Sequence, residues 1–198
     1  MKKIMFNDKY GLTQAVLEGR KTQTRRIARI SQHAFELLSG LYPEAPKELV
    51  QSVLKSNSRY NVGEVVAVAQ SYRDCGGVNE EGVPMWEIIS SKVGGTNAGW
   101  SNKMYVKPEL MPHQIRITNV RVERLQDISD EDCLKEGIIK GQCGSADTHF
   151  MDAYYVPNDI QPYCTPQDAY EILIDKVSGK GTWENNPYVF VYDFELVK

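Results

Sequence analysis

Residues 65–72 (Val-Val-Ala-Val-Ala-Gln-Ser-Tyr) are apolar almost throughout, and a strand of that kind belongs at the centre of a sheet. Two further stretches read as strands. Residues 114–126 alternate through Ile115, Ile117, Val120, Val122 and Leu125, as one long bent strand or as two. Residues 188–197 place Tyr188, Phe190, Tyr192 and Phe194 on one face. These strands follow one another in irregular order, with helical patterns at the ends and edges. A β-α-β repeat is therefore excluded, and the pattern predicts a mixed α+β fold around a small β-barrel.

The helical segments carry their own boundaries. Leu12, Ala15 and Val16 share one face within residues 9–18, and Gly19 supplies a left-handed stop. Residues 30–55 read as two helices broken near Pro43 and Pro46. Ser129 is an N-cap followed by Asp130, Glu131 and Asp132, with Gly137 at the far end. Thr165-Pro166-Gln167-Asp168 opens another helix, which continues through Ala169, Ile172 and Leu173. Within the Gly- and Pro-rich residues 73–112, a short strand or hairpin is expected from Trp86 to Ser91. Residues 139–164 are weakly patterned and read as loop.

With 198 residues and 41% hydrophobic content, the chain is expected to form one domain with a real core. Its net charge of −3 argues against a broad DNA-coating surface, so any nucleic-acid contact must be local. No apolar run is long enough for a membrane span, and the N-terminus lacks a secretory pattern. Cys75, Cys133, Cys143 and Cys164 form no C-x-x-C pair, and reduced thiols in a cytoplasmic protein are the expectation. His33, His113 and His149 are scattered, and no zinc spacing arises from them, so no metal or other cofactor is expected.

The candidate site is the run Gly19-Arg20-Lys21-Thr22-Gln23-Thr24-Arg25-Arg26. Between Arg20 and Arg29 lie five cations and no carboxylate. Arg20, Arg25 and Arg26 are candidate phosphate contacts. Tyr72 and Trp100 are candidate stacking platforms for a base, with Lys103 near in sequence. The bland alternative is a solvated basic strand, in which Arg25 or Arg26 pairs with Glu123 or Asp127. By strict alternation Lys21 and Thr24 point to opposite faces, so bringing them together requires a bend.

Several pieces, spread over about half the chain, resemble the ASCH domain family of the PUA-like superfamily, in particular its longer phage- and prophage-type members. They are Met5-Phe6-Asn7 with the basic run, Val62-Gly63-Glu64-Val65-Val66-Ala67-Val68, and Met111-Pro112 before Ile115-Arg116-Ile117. The others are residues 120–128 with Glu136-Gly137-Ile138, and Trp183-Glu184-Asn185-Asn186-Pro187-Tyr188-Val189. The resemblance implies a small β-barrel with a cleft beside the basic run, and RNA, a nucleoside or a nucleotide as ligand. Compact relatives resemble amidohydrolases that deacetylate acetylated cytidine. Lys21 and Thr24 fall on the positions of their catalytic lysine and threonine, and Glu136 matches the glutamate. Insertions near 30–60, 73–110 and 139–165 set this chain apart. So do Gln70 and Ser71, where similar phage-type members often carry a carboxylate. The leading expectation is a binding protein, followed by an amidohydrolase with Thr24 as nucleophile, Lys21 as base and Glu136 as helper. A protein-interaction module built on the insertions is the third.

Overall fold

The computed structural model describes residues 1–76, 81–94, 97–145 and 149–197. The fold is mixed α+β, with two sheets. In the larger sheet, β1 (Lys3–Ile4) lies parallel to β3 (Val65–Val68) at one edge. β3 is antiparallel to β4 (Gln114–Arg124), β4 to β8 (Tyr188–Val197), and β8 to β2 (Gln23–Ile27) at the other edge. Residues 114–124 form one strand, with a register shift between Ile117 and Asn119 that supplies the bend. Among the described residues no ladder joins β1 to β2, so the sheet is open on that side.

Residues 66–68 of β3 and 189–192 of β8 are buried on both faces, and both strands lie inside the sheet. The Tyr192 hydroxyl accepts from the Arg59 backbone N–H at 3.2 Å and lies 3.0 Å from Ser58 Oγ, which satisfies its polar end. β3 is shorter than its apolar run. It ends at Val68, and Ser71 Oγ caps a 3₁₀ turn by accepting from the Asp74 N–H at 3.3 Å.

The helices form where their caps lie. α1 (Leu12–Leu17) buries Leu12, Ala15 and Val16, and Gly19 follows it at φ +73°. α2 (Gln32–Leu38) is capped by Ser31, and α3 (Lys47–Asn57) follows the two prolines. α5 (Asp130–Lys135) is capped by Ser129 and closed by Gly137 at φ +110°. α6 (Pro166–Ser178) is capped by Thr165 and buries Ala169, Tyr170, Leu173 and Ile174, and the short α7 (Thr182–Asn185) leads into β8.

Two expectations are corrected. The stretch from Trp86 to Ser91 is helical, within α4 (Met85–Val93). Ile89 is buried, with Met85 and Val93 packed beside it, so the apolar spacing is four and not two. Residues 139–164 are not simply loop. β5 (Ile139–Cys143), β6 (Met151–Tyr155) and β7 (Pro162–Tyr163) make a small antiparallel sheet. Its side chains are mostly exposed, apart from the buried Ala153, and so no apolar alternation marks it.

Cys75, Ile89 and Val106 from the described part of 73–110 join Ala67, Ala69 and Tyr72 in a second core cluster. Gly99 sits against the Tyr72 ring, and a Cβ there would lie 2.6 Å from Tyr72 Cε2. Gly99→Ala is therefore expected to destabilise the protein by about 1–3 kcal/mol through overpacking. Urea unfolding checks this; a midpoint equal to that of the parent would show that the ring has room to move.

Candidate functional site

The turn between α1 and β2 is held by backbone bonds. Lys21 N–H donates to Ala15 O at 2.9 Å and Thr22 N–H to Lys135 O at 3.0 Å. Lys21 thus lies in a turn ahead of the strand, and the alternation that would oppose it to Thr24 does not apply. The Lys21 ammonium donates to Glu136 Oε2 at 2.5 Å and to the Glu136 carbonyl at 2.7 Å. Both side chains are buried.

Arg25 completes the cluster. Its Nε and Nη2 donate to Glu123 Oε1 at 3.1 and 2.6 Å, and Nη2 also to Asp132 Oδ2 at 3.1 Å. Its Nη1 donates to Glu136 Oε1 at 3.3 Å and to Gln23 Oε1. All five N–H donors have a partner within the chain. Arg121 backs the cluster from β4, reaching Asp132 Oδ2 at 2.6 Å and Asp193 Oδ2 at 2.9 Å.

The electrostatics follow. Burial lowers the affinity of Lys21 for its proton, and Arg26 and Arg25 add to that; Glu136 opposes them without cancelling the shift. Burial also acts against the charge on Arg25, but Glu136 and Glu123 hold the guanidinium above its ordinary value. Burial and the Glu136 charge raise the Tyr170 phenol well above its usual range, so it is a neutral donor. Cys133 on α5 is pushed up to about 12 by burial and is no nucleophile at neutral pH.

A cavity of about 340 Å³ opens beside these groups, lined by Phe6, Lys21, Thr24, Arg26, Glu136 and Tyr170 among others. That volume suits a small-molecule ligand. Residues from both faces of β2 line it, so the cavity runs along the free edge of that strand. The Thr24 hydroxyl makes no hydrogen bond to any described residue. Tyr170 Oη and Arg26 Nε are buried and lack partners among the described residues, while Arg26 Nη2 crosses the open side of the sheet to Met5 O at 2.6 Å.

Lys21, Thr24, Glu136, Arg25 and Arg26 therefore meet at one cavity. The others do not. Arg20 is exposed and pairs with Glu18 at 2.6 Å. Tyr72 is fully buried, with its hydroxyl accepting from Lys107 N–H at 2.8 Å, and Trp100 packs against the same cluster. Tyr72 has no free face for stacking, which corrects the reading of that ring as a platform. Lys103 is held by Asp8 at 2.7 Å and by Phe6 O. Arg25 has no donor left for a phosphate and is a structural cation, paired with Glu123 and not with Asp127. Tyr170 escapes a reading of the sequence; its only signal is a hydroxyl-bearing ring on the buried stripe of α6. Among the described residues no group of three His, Cys, Asp or Glu side chains is placed to hold a metal ion.

Glu136→Leu leaves the Lys21 ammonium buried without its partner and is expected to cost about 3–5 kcal/mol. The Lys21→Met/Glu136→Leu double variant should cost less than Glu136→Leu alone, as read by denaturant unfolding. In Glu136→Gln, Lys21 loses the group that raises its proton affinity. Its folded-state value then falls further below the ordinary 10.5, and in that window the unfolded chain binds more protons. The stability deficit of Glu136→Gln should accordingly shrink as pH rises from the variant's folded-state value to the parent's, and stay constant above it. A deficit independent of pH would contradict the assignment.

Compared with known proteins, the chain matches no family model, no curated sequence and no solved structure.

Proposed function

We propose that this chain is a cytoplasmic, PUA-like protein of the ASCH type that receives the base of a nucleoside or nucleotide in the cavity along β2. We infer further that it hydrolyses an acyl amide on that base, N-acetylated cytidine being the substrate class. The carrying observation is the convergence of Lys21, Glu136 and the unbonded Thr24 hydroxyl on one cavity. The strand order, with no ladder between β1 and β2 among the described residues, is compatible with a PUA-like fold open at a seam that serves as the ligand mouth.

In this reading, Lys21 supplies the base, since burial weakens its hold on the proton and the neighbouring Arg26 and Arg25 add to that. The amine takes the Thr24 proton as Oγ1 attacks the amide carbonyl. The oxyanion that forms is met by the Tyr170 O–H and the Arg26 Nε–H, buried donors without partners among the described residues. Collapse breaks the carbon–nitrogen bond, and Lys21 passes its proton to the departing amine. Water then cleaves the Thr24 ester, releasing the acid and restoring the hydroxyl.

Binding without turnover is favoured by one observation, the close Lys21–Glu136 contact at 2.5 Å, which suits a protonated amine. Chromatography of acetylated cytidine after incubation separates the two. Cytidine should appear with the parent protein and fall by at least about 100-fold in Thr24→Ala and Lys21→Ala. Thr24→Ser should retain activity, and Tyr170→Phe should lower it by about 10-fold or more, in the range seen when one oxyanion donor is lost. No cytidine at high protein concentration would overturn the hydrolytic reading for this substrate.

A further inference from the structure

A second cavity, of about 320 Å³, adjoins the first and shares Met5, Arg26 and Ile27 with it. Its wall carries four cations, Lys3, Arg26, Arg29 and Arg59, and no carboxylate. They come from separate parts of the chain: Lys3 from β1, Arg26 from β2, Arg29 from the segment after β2, and Arg59 from the segment after α3.

The four differ in what they have left to offer. The Lys3 ammonium is taken by the carbonyls of Met104 and Val106, both at 2.7 Å. Arg26 has its buried Nε without a partner, and no carboxylate lies within ion-pair reach of its guanidinium among the described residues. Arg29 is exposed and makes neither an ion pair nor a side-chain hydrogen bond to a described residue. Arg59 is exposed and rests over the Tyr60 ring at 5.6 Å, again without a carboxylate. In a chain of net charge −3, three arginines that converge on one recess with no carboxylate partner among the described residues suit an anion.

We propose that this recess is a phosphate subsite, and that the ligand whose base enters the first cavity carries its phosphate here. The preferred ligand is then a nucleotide, free or within a strand, over the bare nucleoside. This rests on the base-binding reading of the first cavity. Arg26 stands at the junction of the two cavities, with Nη2 on Met5 O. Arg29 and Arg59 supply the exposed donors that close on the phosphate oxygens.

The test is equilibrium binding of cytidine, cytidine 5′-monophosphate and a short fluorescein-labelled single-stranded oligoribonucleotide. The proteins are the parent, Arg29→Ala/Arg59→Ala, and Arg73→Ala as a surface control. The expected result is that the parent binds a phosphorylated ligand about tenfold or more tightly than cytidine. The double variant should lose that preference, and the control should keep it. The salt slope of oligonucleotide binding should fall by about 0.7 for each phosphate that is no longer neutralised. A preference seen with the monophosphate assigns the subsite to a free nucleotide, and one seen only with the oligonucleotide assigns it to a strand. Oligonucleotide binding that depends on Arg29 and Arg59 while cytidine fails to bind would sink the base-binding reading and leave the phosphate subsite standing. Cytidine bound as tightly as both phosphorylated ligands, or a preference untouched by the double substitution, would overturn the subsite.

Discussion

The buried contact between Lys21, Arg25 and Glu136 ties together parts of the chain that lie more than a hundred residues apart in sequence. β2 is an edge strand, paired only with β8, and its free side would otherwise be unsupported. Arg25 fastens it to Glu123 on β4 and Asp132 on α5, while Lys21 fastens the preceding turn to the end of α5. Charges taken out of water at this depth persist only when each has its partners. Here the two cations and three carboxylates satisfy one another, with Arg121 and Gln23 completing the outer contacts. The geometry of the cavity depends on that closure, because Lys21, Thr24 and Glu136 are placed by the elements it joins.

The same network divides the basic run into cations of different kinds. Arg25 is fully engaged by its carboxylates, and Arg20 pairs locally with Glu18. Arg26 alone of the three projects across the open side of the sheet without a carboxylate. The carboxylates around α5 are thus matched by cations, and Arg26, Arg29 and Arg59 are left at the recess beside β1 and β2. A ligand drawn there would meet the buried amine and hydroxyl at one end and free guanidinium groups at the other.

Much of the architecture is legible in the chain because local chemistry dictates it. Gly19 stops α1 by adopting a positive φ, Ser129 and Thr165 cap α5 and α6, and β8 follows from its own alternating aromatics. α4 reads as a strand although Met85, Ile89 and Val93 recur every four residues; the bulk of Trp86 and two neighbouring isoleucines conceal that spacing. The β5–β7 sheet is hard to read in the sequence, since Ala153 is its one fully buried described residue and no apolar alternation patterns it. In the site, Lys21, Thr24 and Glu136 can be named from the residues of the resemblance. Their convergence cannot, because a bond across 115 residues exists only once the sheet and α5 are in place. Tyr170 is concealed for a related reason. A ring on an apolar stripe reads as core until its hydroxyl is found buried with no partner at a cavity wall.

The central claim is that the turn before β2 delivers a reactive hydroxyl and its base to a common cavity. It is tested most directly by quenching the protein in acid during incubation with acetylated cytidine and mapping the adduct by peptide mass spectrometry. A single acetyl group on Thr24, absent from Lys21→Ala, is the predicted result. Acetyl found on another residue, or cytidine released at full rate by Thr24→Ala, would contradict it.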